Sequence, residues 1–317
     1  MAEPKVRRRA ARFLLGTIVD IAAAGPAAAV SRGIEDAFAA IAQVHRALSA
    51  QDAASELTRV NGLAHRGAQP ISEAFRAVLA CALDMAERTR GTFDPTIGGL
   101  MCDLGLLPEH SSHDRRASWR DVHLDKSGVN FARPLLLDFG GIAKGYAVDR
   151  AIDALRDAGA VTARVNAGGD IRVFGGEIDT VHVRTGGAQC TALPLVALAD
   201  GAVATSAYGS QRRRVAGRWA TPLIDARFGL PSMSTRTVSV VAPHCIVADA
   251  LTKVVALRGA ASAAILASYG AEAIVLTPVK GRWRCVEIPA GGRSEPRAPR
   301  SGARRGSAWH GAARLPG

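Results

Sequence analysis

The sequence predicts an α+β fold, on three observations. The element order reads strand, helices, many short strands, helices, strands, without a regular β-α-β alternation. No internal repeat is present. The 317 residues, 48% hydrophobic and 21% charged, suffice for a sizeable core.

The elements follow in order. Phe13 to Ile21 reads as a first strand. Gly33 to Leu48 reads as a helix, with Ile34, Phe38, Ile41 and Val44 near one face. Ser72 is a candidate N-cap for a helix whose Phe75, Val78, Leu79, Ala82, Leu83 and Ala86 keep the i, i+3, i+4 spacing. The glycine- and proline-rich stretch "TRGTFDPTIGGL" ends it, and Leu106 to Arg120 is polar and irregular. Val122 to Leu124 and Val129 to Phe131 form a hairpin pattern. Leu135 to Leu137 reads as a buried strand, followed by a helix that buries Val148, Ala151, Ile152 and Leu155. Short strands follow at 163–166, 170–174, 180–184, 193–198, 203–205 and 237–242. Helices return at 247–257 and 260–268, and strands close the body at 273–276 and 283–288.

Charge divides the chain. The formal net charge is +12, of which +4 falls in residues 1–12 and +5 in residues 291–317. The expected organisation is therefore a basic N-terminal extension (1–11), one folded body (12–290) and a disordered basic tail (291–317). The body itself is only mildly basic, and no nucleic-acid-binding pattern accompanies the charge. Cys81, Cys102, Cys190, Cys245 and Cys285 are scattered, with no C-x-x-C, which argues against zinc and a disulfide framework. No apolar run approaches a membrane span of about 20 residues, and no export signal or lipobox cysteine is evident. A cytoplasmic location without stable membrane insertion is the expectation.

Four stretches carry candidate chemistry. In "LLLDFGGIAKGYAVD" an apolar strand runs to Asp138, then Gly140-Gly141, then Lys144 in a first helical turn. A lysine there opposes the helix dipole, while the helix start itself favours anions. The turn is either an anion site or a tight strand-to-helix corner, and it is not a Walker loop. "NAGGD", Asn166 to Asp170, permits close backbone approach or a plain hairpin turn. In "GTFDPTIGGL", Asp94 stands on a rigid loop as a nucleotide-binding acid or an Asp-Pro turn. In "VADALTKVVALRG", Asp249 caps a helix or holds a hard cation with the hydroxyl of Thr252.

Together these stretches resemble the FAD:protein FMN transferases, the ApbE family, over about residues 12 to 288. The residues carrying the resemblance are Leu15-Gly16-Thr17, Ser55 to Asn61, Thr92 to Thr96, Asp138 to Asp149, Asn166 to Ile171 and Ala248-Asp249-Ala250. The resemblance implies a T-fold-related α+β architecture with flavin held between two parts of one chain. It implies FAD as substrate, Mg²⁺ as cofactor and an acceptor flavoprotein with a Ser or Thr attachment site. FMN is moved to that hydroxyl and AMP is released. FAD hydrolysis to FMN and AMP, or FAD binding without chemistry, are the alternatives. Leu15, Gln51, Thr92, Phe93, Asp94, Asp138, Lys144, Gly168, Gly169 and Asp225 are the implied flavin-site positions. Asp249 and Lys144 are the implied catalytic residues, and Gly141 with Asp249 and a following hydroxyl is the implied metal site.

The sequence departs from the family pattern at that metal site. The usual threonine four residues after the acid is Lys253, and Thr252 stands one place early. Successive helix positions differ by about 100°, so the two side chains point apart. An ammonium at a metal position repels Mg²⁺. Gln51 replaces an aromatic residue or histidine. "TPLIDARFG" keeps Asp225 without the family's histidine and proline, and Ser206 retains a family serine.

Overall fold

The computed structural model describes residues 5–176, 179–184, 192–210, 213–215, 218–279 and 282–290. The expected disordered tail, 291–317, and Cys190 lie outside them. The first half contains β1 (Lys5–Leu14), β2 (Thr17–Pro26), α1 (Ala27–Leu48), α2 (Glu56–Leu63), α3 (Glu73–Arg88), α4 (Gly98–Asp103), β3 (Val122–Asp125), β4 (Gly128–Phe131) and α5 (Ala143–Asp157). Strands then dominate: β5 (Thr162–Ala167), β6 (Asp170–Phe174), β7 (Asp179–Arg184), β8 (Ala192–Leu198), β9 (Gly201–Ala207), β10 (Arg213–Val215), β11 (Arg218–Ala220), β12 (Ile224–Asp225), β13 (Leu230–Pro231) and β14 (Thr237–Ala242). The chain closes with α6 (Cys245–Arg258), α7 (Ala263–Ser268), β15 (Glu272–Val279) and β16 (Arg282–Ile288).

Eight strands form one antiparallel sheet in the order β1-β2-β5-β6-β9-β14-β15-β16. Its inner face presents Val19, Ile21, Val165, Ala167, Ala202, Ala204, Val238 and Val240 to α1, α5 and α6, and the main core lies between. On the outer face the β7–β8 hairpin lays Val181, Val196 and Leu198 over Ile171, Val173, Val203, Ile274 and Leu276. The α+β class holds, and the period-two alternation of the strands is the reason: one face meets helices, the other meets a hairpin or water.

The first predicted strand is instead a hairpin. Leu14 pairs with Thr17, and the two residues between them, Leu15 and Gly16, both have positive φ (55° and 70°). That is the geometry of a tight two-residue turn, whose usual sequence signal is Asn-Gly. Leucine in that position hides the turn inside an apolar run. The residues read as a basic extension therefore enter the sheet from Lys5, as its edge strand. Arg9 pairs with Asp20 and Arg12 with Glu35 along this edge.

Leu135 to Leu137 are buried, but only Leu136 makes a bridge, to Ile97. The segment is held by a side chain: Asn61 donates to the Leu137 carbonyl (3.0 Å) and accepts from the Leu137 N–H (2.9 Å). An amide does here what a neighbouring strand does elsewhere, since buried backbone groups require partners. The helical stretch Cys245–Ser268 is long and apolar enough to cross a membrane, contrary to the expectation. Its α6 part packs on β9 and β14, with Cys245, Ala248, Leu251, Val254 and Val255 fully buried. The expectation failed because Asp249 and Lys253 interrupt the apolar run in sequence.

Candidate functional site

The first turn of α5, the start of β6 and the second turn of α6 meet at one cluster. Lys144 reaches from α5 to the carboxylate of Asp170, the first residue of β6. Asp249, fully buried in α6, accepts the Gly145 N–H at 3.1 Å through Oδ2. Its Oδ1 accepts the ammonium of Lys253, which also donates to the Asp249 carbonyl at 2.9 Å. The stem of Lys253 runs beside Gly141: a Cβ there would lie 3.4 Å from its Cε and 3.5 Å from the Phe93 ring. The structure thus brings Lys144, Asp249, Lys253, Gly141 and Phe93 together.

Two contacts make this meeting possible. Gly145 lies so close to α6 that a Cβ would sit 2.3 Å from the Cys245 carbonyl oxygen, so only glycine fits. Four residues later, Asp149 accepts the N–H groups of Cys245 (2.9 Å) and Ile246 (3.0 Å), capping α6 from outside its own chain segment, and takes the Arg172 guanidinium at 2.7 Å. Asp149 had no assigned role in the sequence reading, although it ends the quoted motif. Nor had Asp170, whose partnership with Lys144 depends on strand order that sequence spacing does not display.

The electrostatics are those of a buried, compensated group. Burial pushes the Asp170 carboxyl up to about 6, assisted by repulsion from Asp249 and opposed by Lys144 and Lys253. Burial would also raise Asp249, but Lys144, Lys253 and the Gly145 N–H outweigh it and hold that carboxyl below its ordinary value. Burial would lower Lys144, yet the attraction of Asp249 and Asp170 raises it, so its ammonium is kept charged. Asp138, beside the turn, is raised by burial while accepting the Gly140 N–H at 3.0 Å.

The start of α5 is less open to anions than its sequence suggests. The Ala143 N–H bonds Phe139 (2.8 Å) and the Gly145 N–H bonds Asp249. The "NAGGD" turn is a β5–β6 hairpin with Gly168 and Gly169 at φ 65° and 104°. A Cβ on Gly168 would lie 2.7 Å from the Thr17 hydroxyl, so the turn packs on the β1–β2 turn, where Leu15 is half-buried. Asp94 is half-buried, accepts the N–H (2.8 Å) and hydroxyl (2.6 Å) of Thr96, and is raised by burial. The Thr92 hydroxyl donates to the Thr89 carbonyl at 3.0 Å inside the same loop. Gln51 is exposed after α1, and Asp225 is paired with Arg227 on the β12–β13 hairpin. Among the described residues, neither makes a hydrogen bond or ion pair with the cluster.

The predicted metal partners do not assemble. The Thr252 hydroxyl donates to the Asp249 main-chain oxygen at 2.7 Å and lies 3.0 Å from the Ser206 hydroxyl and 3.4 Å from that of Tyr208. It faces β9, away from the Asp249 carboxylate. Each carboxylate oxygen of Asp249 already accepts a proton donor. Mg²⁺ needs near-octahedral oxygen ligands, and here an ammonium stands where a cation would. Among the described residues, no group of three or more His, Cys, Asp or Glu side chains could hold a metal. These residues do not fit a divalent ion.

A groove of about 400 Å³ lies on the outer sheet face, lined by Arg7, Arg9, Asp20, Thr162 and Arg164. It is on the opposite side of the sheet from the cluster and contains none of the motif residues.

Comparison with known proteins identifies the family. A chain from Treponema pallidum (strain Nichols) named FAD:protein FMN transferase is 29% identical over 308 residues, covering 85% of this chain and 84% of that one. One of the same name from Chlamydia trachomatis is 30% identical over 220 residues, covering 62% and 66%. The crystal structure of Pseudomonas stutzeri flavinyl transferase ApbE, apo form, superposes with a TM-score of 0.76 at 20% identity, covering 91% of this chain and 98% of that one. The ApbE protein of Thermotoga maritima gives 0.72 at 25% identity, covering 85% and 94%. The ApbE family model matches residues 15–275, and the chain belongs to the ApbE family.

Proposed function

We propose that this chain transfers the FMN half of FAD to a hydroxyl of an acceptor protein. The observation that carries this reading is the convergence of Lys144 and Lys253 beside the Asp138–Gly141 turn, in a chain whose relatives are named for that transfer. The acceptor is a Ser or Thr side chain on another protein.

The reaction is displacement at phosphorus. The acceptor hydroxyl oxygen attacks the FMN-side phosphorus of FAD, and a new P–O bond forms. The bond from that phosphorus to the bridging oxygen breaks, and AMP leaves with the bridging oxygen. The hydroxyl proton passes to the AMP phosphate or to solvent. Negative charge grows on the leaving phosphate, so pre-placed cations lower the barrier. Lys144 supplies one such charge, held on by Asp170 and Asp249. The Gly145 N–H and Lys253 fix Asp249, and Asp249 in turn fixes both lysines' field. We assign Phe93, beside Gly141, and Asp94, next to it in sequence, to the adenosine side.

The experiment is incubation of the chain with FAD and a co-purified candidate acceptor. Covalent flavin fluorescence on the acceptor with matching AMP release supports transfer. AMP and FMN release without labelling assigns hydrolysis instead. Intact FAD after binding overturns both.

A further inference from the structure

The misfit between the residues and a divalent ion has a consequence that rests on the flavin-transfer reading. We propose that the Lys253 ammonium is a built-in cation for the FAD diphosphate, so that this chain binds and cleaves FAD without Mg²⁺.

The geometry supports this in three ways. First, the ammonium is anchored, because Asp249 takes two of its hydrogen bonds, through Oδ1 and the main-chain oxygen. A lysine has three N–H donors, so one remains for a phosphate oxygen. Second, the side chain is 19% exposed while Asp249 is 0% exposed, so a ligand reaches the cation and not the carboxylate. Third, Lys253 does not act alone. Lys144 shares the same acids, Asp170 and Asp249, and the groups facing this pair are Asp138, Asp170, Asp249 and Tyr208. Two anchored ammoniums offer a diphosphate charged N–H donors at fixed positions, without a metal's demand for six oxygens.

The Thr252 arrangement fits the same reading. With its hydroxyl turned to Ser206 and Tyr208, it ties α6 to β9 and the following turn. The hydroxyl then sets the rotation of α6, and that rotation points Lys253 at Gly141.

The test is FAD titration by flavin fluorescence, with EDTA or with Mg²⁺, on the wild type, Lys253→Thr and Lys253→Met, with melting temperatures recorded alongside. The wild type is expected to bind FAD within about twofold equally in both buffers. Lys253→Thr should bind at least about tenfold more weakly in EDTA, and Mg²⁺ should restore most of the loss by occupying the vacated place. Lys253→Met keeps the aliphatic stem and should lose affinity in both buffers. A wild type that needs Mg²⁺ for FAD binding overturns the inference and leaves flavin transfer standing, as does a folded Lys253→Thr with wild-type affinity in EDTA. A wild type that binds FAD in neither buffer overturns the flavin reading and the inference with it.

Discussion

The Gly145 N–H in α5 donates to the Asp249 carboxylate in α6 at 3.1 Å, joining residues 104 positions apart. This bond exists only because Gly145 lacks a side chain. In Gly145→Ala, the new methyl would meet the Cys245 carbonyl at 2.3 Å, and the two helices must separate. Overpacking of this kind costs about 1–3 kcal/mol. Chemical denaturation should show that loss, and FAD affinity should fall with it, because Asp249 moves.

Asp149 is the structural counterpart of that bond. It caps α6 twice and neutralises a buried Arg172. Asp149→Ala leaves a buried guanidinium and two N–H groups without acceptors. A loss of roughly 3–5 kcal/mol follows, read from the urea midpoint at constant slope.

Asn61→Ala removes both hydrogen bonds to Leu137 and leaves a buried N–H and carbonyl unpaired. The penalty is about 1–3 kcal/mol for such a group. Hydrogen exchange should locate it, with protection lost at Leu137 before the sheet opens.

Lys144→Met should weaken FAD binding and slow the chemical step further. Losing one donor aimed at developing charge slows turnover about 10²- to 10³-fold, measured as AMP release at saturating FAD. Its partner Asp170 is 1% exposed, so the variant also loses stability by leaving a buried carboxylate without its cation, and turnover is compared well below the melting temperature of each protein.

Asp170 gives the pH signature. Its folded pKa, about 6, lies above the ordinary carboxylate value. Its contribution to stability is therefore complete below about pH 4 and is lost as pH rises through 6. Asp170→Asn carries no charge at any pH, so its melting temperature should gain on the wild type's between pH 4.5 and 7. A constant difference across that range would contradict the assignment.

How much of this was legible in sequence differs by residue. The helices and inner strands follow from apolar periodicity, which is local. The Leu15-Gly16 turn was hidden because leucine at positive φ looks like strand interior. Lys144 was identifiable because a cation in a first helical turn opposes the dipole, and Asp249 and Lys253 because the motif resemblance marks their positions. Asp170 and Asp149 were not, because their partners lie on other elements and only the sheet order β5-β6-β9 brings them near. Thr252 misled, since a hydroxyl one residue early faces another wall of the helix. Asp225 and Gln51 sit on local turns whose own hydrogen bonds explain them.

The most direct test of the central claim is the crystal structure of this chain with FAD bound. The diphosphate should lie within about 3 Å of the Lys144 and Lys253 ammoniums, with the adenosine toward Phe93 and Asp94. A diphosphate bound elsewhere, such as the arginine-lined groove across the sheet, would contradict the account.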